Sequence, residues 1–231
     1  MFAVGTNNET NRYKWTEETL KKIPTGYKIL DAGAGECQFK KFCTHLNYTA
    51  QDFAQYEGDG NVGLQMGSWD NSKLDIVSDI TAIPVADESF DAVMCTEVLE
   101  HVPDPVAALK EINRVLRKDG YLMITVPFNS LTHFAPYHFA PGLSRFFFEH
   151  HLGIMGYDII DLQYNGNYFE FIAQEVRRVK RVANQYSKGY NFFDKIVTHL
   201  QLLSLEKLSK RSEKSEELLC FNIFVFAKKG N

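Results

Sequence analysis

A chain of 231 residues, 45% hydrophobic and 23% charged, is long enough to bury a substantial core within one large domain. Its 29 acidic and 25 basic residues give a net charge of -4, and without a global basic excess nucleic acid is not expected as a partner. The four cysteines lack CxxC spacing and lie in apolar segments, which predicts reduced thiols. Because no signal-peptide pattern and no apolar run of about 20 residues is present, we expect a soluble cytoplasmic protein without a membrane span.

Strand-like and helix-like segments alternate through the first half of the chain, which predicts an α/β fold with a largely parallel sheet. The first helix is predicted over 13–22 and the first strand over 27–33, followed by a helix that begins near Glu36. A second strand is predicted over 48–53. The Gly-rich polar segment 57–71 then predicts a surface excursion.

Two more strands are predicted over 74–80 and 90–96. They are followed by a helix over 104–120 that ends at Gly120 as a C-cap, and by a fifth strand over 121–127. Beyond this strand the chain becomes aromatic and His-rich. Its aromatic side chains are predicted either to stack on an acceptor molecule or to pack in the core: Phe134, Tyr137, Phe139, Phe146, Phe147 and Phe148.

The C-terminal part of the chain shows two amphipathic helical segments, over 169–186 and 191–210. We expect them to pack on the domain or on a second subunit, so a homodimer is one alternative. A final strand is predicted over 218–228, at the edge of the sheet. A basic run is interpreted as a solvated helix face, with an anionic substrate or a membrane surface as the alternative: Arg177, Arg178, Lys180 and Arg181.

A Gly-x-Gly turn follows the first predicted strand, in the segment ILDAGAGECQF. Gly33 and Gly35 allow the backbone to approach a ligand, and the helix expected after them would supply free N–H donors. A third glycine of the dinucleotide pattern would fall at Gln38, and Asp31 beside the turn would repel a pyrophosphate. The same carboxylate suits a cationic amino-acid head group and a sulfonium, which argues against NAD or FAD.

Further polar residues end the next predicted strands. Asp52 ends strand two, where a carboxylate can accept both hydroxyls of a ribose. Asp79 and Ile80 end strand three, where a carboxylate can bond an adenine amino group and an aliphatic side chain can pack on the ring. Loop capping is the alternative role of both aspartates. Because the strand ends meet at the edge where open α/β sheets bind ligands, we favour a cofactor site.

The motifs ILDAGAGEC, SDITAIPVADESFDAVMCTEVLEHVPDP and EINRVLRKDGYLMITVP occur in this order, and over about residues 27–130 the chain resembles class I S-adenosylmethionine-dependent methyltransferases. It is most similar to the type 11 subfamily that includes the ubiquinone-pathway O-methyltransferases. The resemblance implies S-adenosylmethionine as cofactor, with its methionine part at Asp31, Gly33 and Gly35. Asp52 would hold the ribose, Asp79 and Ile80 the adenine, and Thr96 would complete the cofactor-binding set.

The resemblance also implies a Rossmann-like sheet of seven strands, mostly parallel with an antiparallel C-terminal strand and helices on both faces. We therefore expect a single domain over 1–231. Within it, 27–130 would form the cofactor-binding core, 131–217 an acceptor-side elaboration and 218–228 the final strand.

The tract TEVLEHV follows strand four, and a helical turn there would place Glu97, Glu100 and His101 on one face. Two carboxylates and an imidazole suit a divalent cation such as Mg²⁺. This pattern is similar to the metal site of small-RNA 2′-O-methyltransferases. The alternative is a helix start with acidic first-turn residues and a packed histidine. His133 or His138 would supply a fourth ligand, and one of His101, His133 and His138 the general base.

These expectations combine into an O-methyltransferase that acts on a small hydroxylated acceptor, with a sugar or glycan precursor preferred. Methyl transfer to oxygen or nitrogen of an aromatic or other small metabolite is an alternative. A metal-dependent RNA 2′-O-methyltransferase and a non-catalytic S-adenosylmethionine-binding protein are further alternatives.

Overall fold

The computed structural model describes residues 2–56, 58, 63–64 and 67–230. Its α-helices are α1 (Asn8–Leu20), α2 (Pro105–Val115), α3 (Arg145–Ile154), α4 (Tyr168–Tyr186) and α5 (Phe192–Ser209). Its strands are β1 (Lys28–Ala32), β2 (Asn47–Asp52), β3 (Ile76–Val77), β4 (Phe90–Thr96), β5 (Leu116–Pro127), β6 (Tyr157–Asn165) and β7 (Asn222–Lys229).

The strands form one seven-stranded sheet in the order β3-β2-β1-β4-β5-β7-β6. The first five strands in this order pair in parallel, and the C-terminal strands are antiparallel. The predicted α/β fold with a mostly parallel seven-stranded sheet is confirmed. The expected edge position of the final strand is wrong, because β7 lies between β5 and β6, where its side chains from Asn222 to Ala227 are buried.

The centre of the sheet is built from two apolar strands that lie side by side. In β1 the side chains from Ile29 to Ala32 are buried, and in β4 all but Asp91 are buried. Near-continuous apolar strands are typical of parallel strands that are covered on both faces. Each fully buried Leu, Ile or Val side chain contributes roughly 1.5–3 kcal/mol to folding, so this pairing anchors the carboxyl ends of β1 and β4 next to each other.

Two predicted helical stretches are wrong, and the first of them borders the glycine turn. After the glycine turn the chain forms turns and a short 3-10 helix, Lys40–Phe42, because Cys37 adopts a left-handed conformation with φ 59 that an α-helix excludes. Helix α2 ends at Val115 rather than at Gly120, since Leu116 already pairs with Phe90 in the sheet.

The chain forms two compact units. One comprises Met1–Tyr13 with Tyr164–Asn222, and in it α4 packs on α5 through Ala173 and Leu202. The other comprises Lys14–Gln163 with Ile223–Asn231 and contains all the predicted cofactor, metal and base residues. In the described part of the chain, no helix combines the length and the apolar character that crossing a bilayer requires.

Candidate active site

The predicted cofactor residues lie at the carboxyl ends of four neighbouring strands. Asp31 lies in β1, Asp52 ends β2, Asp79 follows β3 and Thr96 ends β4. Because β3, β2, β1 and β4 are adjacent and parallel, these residues share one edge of the sheet. Open α/β sheets bind their ligands at this edge.

Asp31 is a buried carboxyl group with one oxygen that lacks a hydrogen-bond partner among the described residues. Its residue is 1% exposed, and its Oδ2 accepts a 2.5 Å hydrogen bond from the Tyr48 hydroxyl. Its Oδ1 has no hydrogen-bond partner among the described residues. Burial raises the pKa of Asp31 to about 7, while the Tyr48 hydrogen bond lowers it and the charge of Asp52 raises it. A buried carboxylate oxygen without a hydrogen-bond partner suits the ammonium group of S-adenosylmethionine.

The glycine turn is tied to β2 by its own backbone. The N–H groups of Gly33 and Ala34 both donate to the Gln51 carbonyl at 2.8 Å, and the Gly35 N–H donates to Asp52 Oδ2 at 3.0 Å. These donors are therefore engaged, and the expectation that they would be free at a helix start is wrong. Since a carbonyl and a carboxylate hold the turn, its shape is fixed before any ligand binds.

Both glycines of the turn are required by close packing as well as by their backbone conformation. Gly33 has φ 80 and Gly35 has φ 50. A Cβ at Gly33 would lie 2.3 Å from Val98 Cγ2, and a Cβ at Gly35 would lie 2.3 Å from the Trp69 ring. A larger residue at either position would displace Val98 or Trp69 and would strain the backbone.

Asp52 and Asp79 both cap loops in this structure, which is the alternative role weighed from the sequence. The Ala54 N–H donates to Asp52 Oδ1 at 2.9 Å, and the Thr81 N–H and hydroxyl donate to Asp79 Oδ1 at 2.8 Å. Each carboxylate oxygen has two acceptor sites, so capping leaves room for a ligand hydroxyl. Ile80 is buried at 6% exposure, beside the exposed Asp79. The roles assigned to these residues stay predictions.

In the TEVLEHV tract, the three residues that were predicted to share one helical face do not lie together. Glu97 has φ 55, and its Oε1 accepts a 2.8 Å hydrogen bond from the Thr125 hydroxyl. The 3-10 helix that follows spans only Leu99–His101. A left-handed residue at position 97 breaks the helical turn, so Glu97 leaves the face on which Glu100 and His101 lie.

Another histidine takes the place expected for Glu97. In the described part of the chain, Glu100, His101 and His133 form a group whose ligand atoms lie within 4.8 Å of one another. Glu100 is fully buried, and its Oε1 lies 3.6 Å from His101 Nε2. One carboxylate and two imidazoles are a donor set that divalent transition metals accept.

The hydrogen bonds of the three histidines assign their tautomers. His101 Nδ1 lies 2.6 Å from the Tyr137 carbonyl and His133 Nδ1 lies 2.9 Å from the Leu131 carbonyl, so both nitrogens carry hydrogen. Their Nε2 atoms therefore hold free lone pairs. His138 Nδ1 instead accepts the His133 backbone N–H at 3.2 Å, which places the ring hydrogen on Nε2. Burial lowers the pKa of His101 to about 3 and also lowers that of His138.

An aromatic cluster connects the glycine turn to the histidines. Phe134 stacks on Tyr56 at 3.7 Å between ring centroids and lies 5.1 Å from Trp69 and 4.6 Å from His101. Trp69 also packs on Gly35. A continuous aromatic wall therefore runs from the cofactor edge to the imidazole group.

The other predicted stacking residues are distributed differently. Tyr137 lies in the cluster, with its ring edge-on to Phe53 at 4.9 Å. In α3, Phe148 is fully buried in the core, whereas Phe146 is 71% exposed. Phe139 is 52% exposed. His150 and His151 lie in α3, outside this cluster.

Three aromatic residues of this site were missed by the sequence analysis: Tyr48, Tyr56 and Trp69. The last of these lies in the predicted surface excursion 57–71, of which residues 57, 59–62 and 65–66 fall outside the described residues. Its described parts border the site, because Leu64 also pairs with His133. A tryptophan within a polar, Gly-rich segment was the signal that could have identified the contact.

The amino ends of the strands frame a separate cavity of about 810 Å³. It is lined by Lys28, Asn47 and Phe90, which begin β1, β2 and β4, together with Lys40 and Tyr48. Apart from Tyr48, its described lining shares no residue with the site at the carboxyl edge. The cavity is therefore not the predicted cofactor site.

Comparison with known proteins identifies the segment that carries this edge. The profile of a family described as "Methyltransferase domain" matches residues 30–124. The chain is 33% identical over 112 residues to a demethylmenaquinone methyltransferase of Mycobacterium sp. (strain JLS), which covers 48% of this chain and 46% of the relative. It is 32% identical over 106 residues to a ubiquinone biosynthesis O-methyltransferase of Xanthomonas axonopodis pv. citri (strain 306), which covers 44% of each. The matched segment thus spans less than half the length of these relatives.

The fold itself is shared over nearly the whole chain. A crystal structure of a SAM-dependent methyltransferase from Archaeoglobus fulgidus superimposes with a TM-score of 0.56 at 16% identity and covers 94% of both chains. At this identity the likeness shows the fold alone. Profile, relatives and fold agree: residues 30–124 match the methyltransferase-domain family, and the fold is one found in S-adenosylmethionine-dependent methyltransferases.

Proposed function

We propose that the chain is an S-adenosylmethionine-dependent O-methyltransferase whose acceptor is a small hydroxylated aromatic ring. The Oδ1 of buried Asp31, unpaired among the described residues and at the same edge as a cluster of aromatic and histidine side chains, is the observation that carries the proposal. The ubiquinone biosynthesis O-methyltransferase named above supports O-methylation, and the demethylmenaquinone methyltransferase supports methyl transfer more generally.

The cofactor would lie along the carboxyl ends of β3, β2, β1 and β4. Asp31 would hold the ammonium group, Asp52 the ribose hydroxyls, and Asp79 with Ile80 the adenine. Bound there, S-adenosylmethionine supplies a sulfonium methyl group. Methyl transfer requires the acceptor oxygen to lie in line with the methyl carbon and the sulfur. The side chains that orient the acceptor would therefore contribute most to lowering the activation barrier.

The acceptor class rests on a relative together with the apolar character of the site. Phe134 and Tyr56 are each 5% exposed and stack on each other at 3.7 Å, so they form an apolar backing beside His101 rather than a free stacking face. The ubiquinone biosynthesis O-methyltransferase among the relatives supports a hydroxylated ring as acceptor. The sugar or glycan precursor preferred from the sequence has no support from the relatives, and we replace it by an aromatic alcohol.

His133 is the general base in this proposal. The acceptor O–H would donate to His133 Nε2; the oxygen then forms its bond to the methyl carbon, the carbon–sulfur bond breaks, and the proton stays on the imidazole. His133 is partly exposed, so its proton can pass to solvent. His138 is unsuited in this arrangement because its Nδ1 accepts a backbone N–H.

The test is mass spectrometry of reactions with S-adenosylmethionine and a panel of catechols, monophenols and hexoses. We expect a gain of one methyl group on a phenolic oxygen, with S-adenosylhomocysteine as coproduct. His133→Gln should lower kcat by about a hundredfold or more with little change in cofactor affinity, whereas His150→Gln in α3 should leave kcat unchanged. Turnover of hexoses alone, or an unaffected His133→Gln variant, would contradict the assignment.

A cation site is the second candidate, supported by the group Glu100, His101 and His133. The His101 Nδ1–H bond to the Tyr137 carbonyl orients the ring and leaves Nε2 free, which is the usual support of a histidine ligand. A divalent cation held there would lower the pKa of an acceptor hydroxyl. In this arrangement His133 is a ligand rather than the base.

Metal analysis after dialysis against Mn²⁺ or Zn²⁺ separates the two candidates. If the cation site exists, Glu100→Gln should lose the bound metal, and the matched variant Glu97→Gln should keep it, since Glu97 lies outside the group. Activity should then also fall on chelation. Full turnover in a chelator, with no metal retained by the unaltered protein, would leave His133 as the base.

A further inference from the structure

The hairpin of α4 and α5 carries an exposed apolar surface at its tip, which we define as residues 179–200. The exposed apolar side chains there are Val179 (45%), Tyr186 (61%), Phe192 (77%), Phe193 (70%), Ile196 (43%), Val197 (38%) and Leu200 (58%). In α5 they recur at helical spacing, so they form one continuous stripe. A contiguous apolar surface of this kind marks an interaction site.

The opposite face of α5 already has its partners. Leu202 is buried against Val4 and Ala173, with Val176 and Leu205 packed around them. These residues fall on the far side of the helix from Phe193, Ile196 and Leu200, given 100° of rotation per residue. The stripe is therefore not needed to hold α5 on α4.

The tip is also the basic end of an acidic protein. Lys180, Arg181, Lys188 and Lys195 are exposed within it. Asp194 is its acidic residue, and the Asp194 carboxylate accepts the Asn191 N–H at 2.8 Å in the capping box of α5. The whole chain has a net charge of -4, so positive charge is concentrated at this point.

Arg177 of the same basic run points elsewhere. Its guanidinium donates to the carbonyls of Val4 at 2.8 Å and Phe2 at 2.6 Å. Arg178 pairs with Glu175 at 2.8 Å. The basic run noted in the sequence thus divides, and its exposed half, Lys180 and Arg181, belongs to the tip.

We propose that the α4–α5 tip docks on the surface of an anionic lipid bilayer. Aromatic and aliphatic side chains on one helix face with lysines and arginines beside them are the composition of an interfacial helix. Phe192, Phe193 and Ile196 would enter the boundary between head groups and acyl chains. The flanking lysines and arginine would pair with lipid phosphates, each contributing to binding only while salt is low enough to leave it unscreened.

Other occupants fit the tip less well. Two copies of the chain joined through this face in a symmetric dimer would bring their basic residues together, which like charges oppose. An RNA would satisfy the basic side chains but would leave Ile196, Val197 and Leu200 in water, since aliphatic groups offer bases no stacking surface. An anionic lipid bilayer can contact both the apolar and the basic side chains of the tip.

Vesicle flotation of the full chain, without cofactor or acceptor, tests the proposal separately from the methyltransferase activity. Two vesicle types are needed, phosphatidylcholine alone and phosphatidylcholine with phosphatidylglycerol. The variant Phe192→Ser/Phe193→Ser removes the apolar contact, and Lys180→Glu/Arg181→Glu/Lys188→Glu reverses the charge. Phe146→Ser/Ile154→Ser in α3 is the matched control, because these side chains are 71% and 72% exposed and lie outside the tip.

We expect the unaltered protein and the α3 control to float with the anionic vesicles and to be released at high salt. Both tip variants should lose about tenfold or more in partition coefficient. Absence of anionic-vesicle binding by the unaltered protein, or equal binding by the tip variants, would overturn the proposal. Conversion of a dimer to a monomer by Phe192→Ser/Phe193→Ser in light scattering would also overturn it, because a second copy would then cover the face.

Discussion

Asp31 combines a carboxyl pKa of about 7 with an oxygen that lacks a hydrogen-bond partner in the described part of the chain, and its charge changes near neutral pH. A cofactor ammonium group should bind only the ionised form, while the α-amino group itself stays cationic below about pH 7.7. The affinity for S-adenosylmethionine should therefore rise about tenfold between pH 5.5 and pH 7. Calorimetry in buffers of different ionisation enthalpy should also detect the proton that Asp31 releases on binding.

Tyr48 sets where this titration occurs. Its hydroxyl donates to Asp31 Oδ2 at 2.5 Å and lowers the carboxyl pKa against the effect of burial. Tyr48→Phe should move the midpoint of the affinity profile to higher pH and weaken binding at pH 7. Tyr121→Phe also removes a hydroxyl from the sheet and should leave the profile in place. Identical profiles for both variants would exclude a positioning role of Tyr48.

The same ionisation affects stability. Burial raises the Asp31 pKa above its unfolded value of 3.8, so between about pH 4 and pH 7 the folded state keeps a proton that the unfolded state releases. The free energy of unfolding therefore falls as pH rises through this window. Asp31→Asn removes this pH dependence. The free energy of unfolding of the cofactor-free variant, relative to that of the unaltered protein, should therefore be higher at pH 8 than at pH 4 by on the order of 3 kcal/mol.

Urea unfolding of both proteins at the two pH values measures this difference. A constant gap between variant and unaltered protein across the range would show that folding does not change the pKa of Asp31. Asp31 itself was identified from its position in the sequence. Tyr48 was not, because only the parallel register of β1 and β2 brings these two side chains together.

Helix α2 holds the loop that follows Asp79 and Ile80. Arg114 donates to the carbonyls of Ile83 at 2.9 Å and Val85 at 2.8 Å, and pairs with Asp87 at 2.7 Å. Glu111 accepts the Ile83 N–H at 2.7 Å, and its hydrogen bonds with Arg114 raise the pKa of the guanidinium. This clamp fixes the loop on which the expected adenine contacts lie.

Loss of the clamp should be visible in that loop first. Arg114→Met should speed hydrogen exchange of residues 83–88, weaken cofactor binding and cost about 2 kcal/mol of stability. Arg117→Met is the matched control, since Arg117 pairs with Asp91 and lies over the Tyr27 ring instead. Unchanged hydrogen exchange of residues 83–88 in Arg114→Met would show that Arg114 does not hold this loop.

At the level of elements, the sequence predicted six of the seven strands near their observed positions, but it predicted no strand at β6 and it predicted the turns poorly. The bounds of β4 are those expected, because seven mostly apolar residues lie between clear polar ends. The helical turn expected at Glu97 fails, since helical spacing in a sequence does not reveal that Glu97 is left-handed. Because of this backbone angle, His133 rather than Glu97 lies beside Glu100 and His101.

Across the whole molecule, the cofactor residues could be predicted from the sequence more completely than the acceptor-side residues. The family profile matches residues 30–124, which include every residue assigned to the cofactor. His133, Phe134 and the α4–α5 tip lie outside this segment. Their arrangement depends on contacts between positions distant in the chain, such as the pairing of Leu64 with His133, which no local pattern encodes.

Isothermal titration of the full chain with S-adenosylmethionine at pH 7 tests the central claim most directly. We predict saturable binding of one cofactor per chain. Asp31→Asn should weaken this binding at least about tenfold, because a neutral amide then replaces the carboxylate with its unpaired oxygen. Absence of binding heat up to about 1 mM cofactor, or equal affinity of Asp31→Asn, would contradict a cofactor site at the carboxyl ends of β1 and β2.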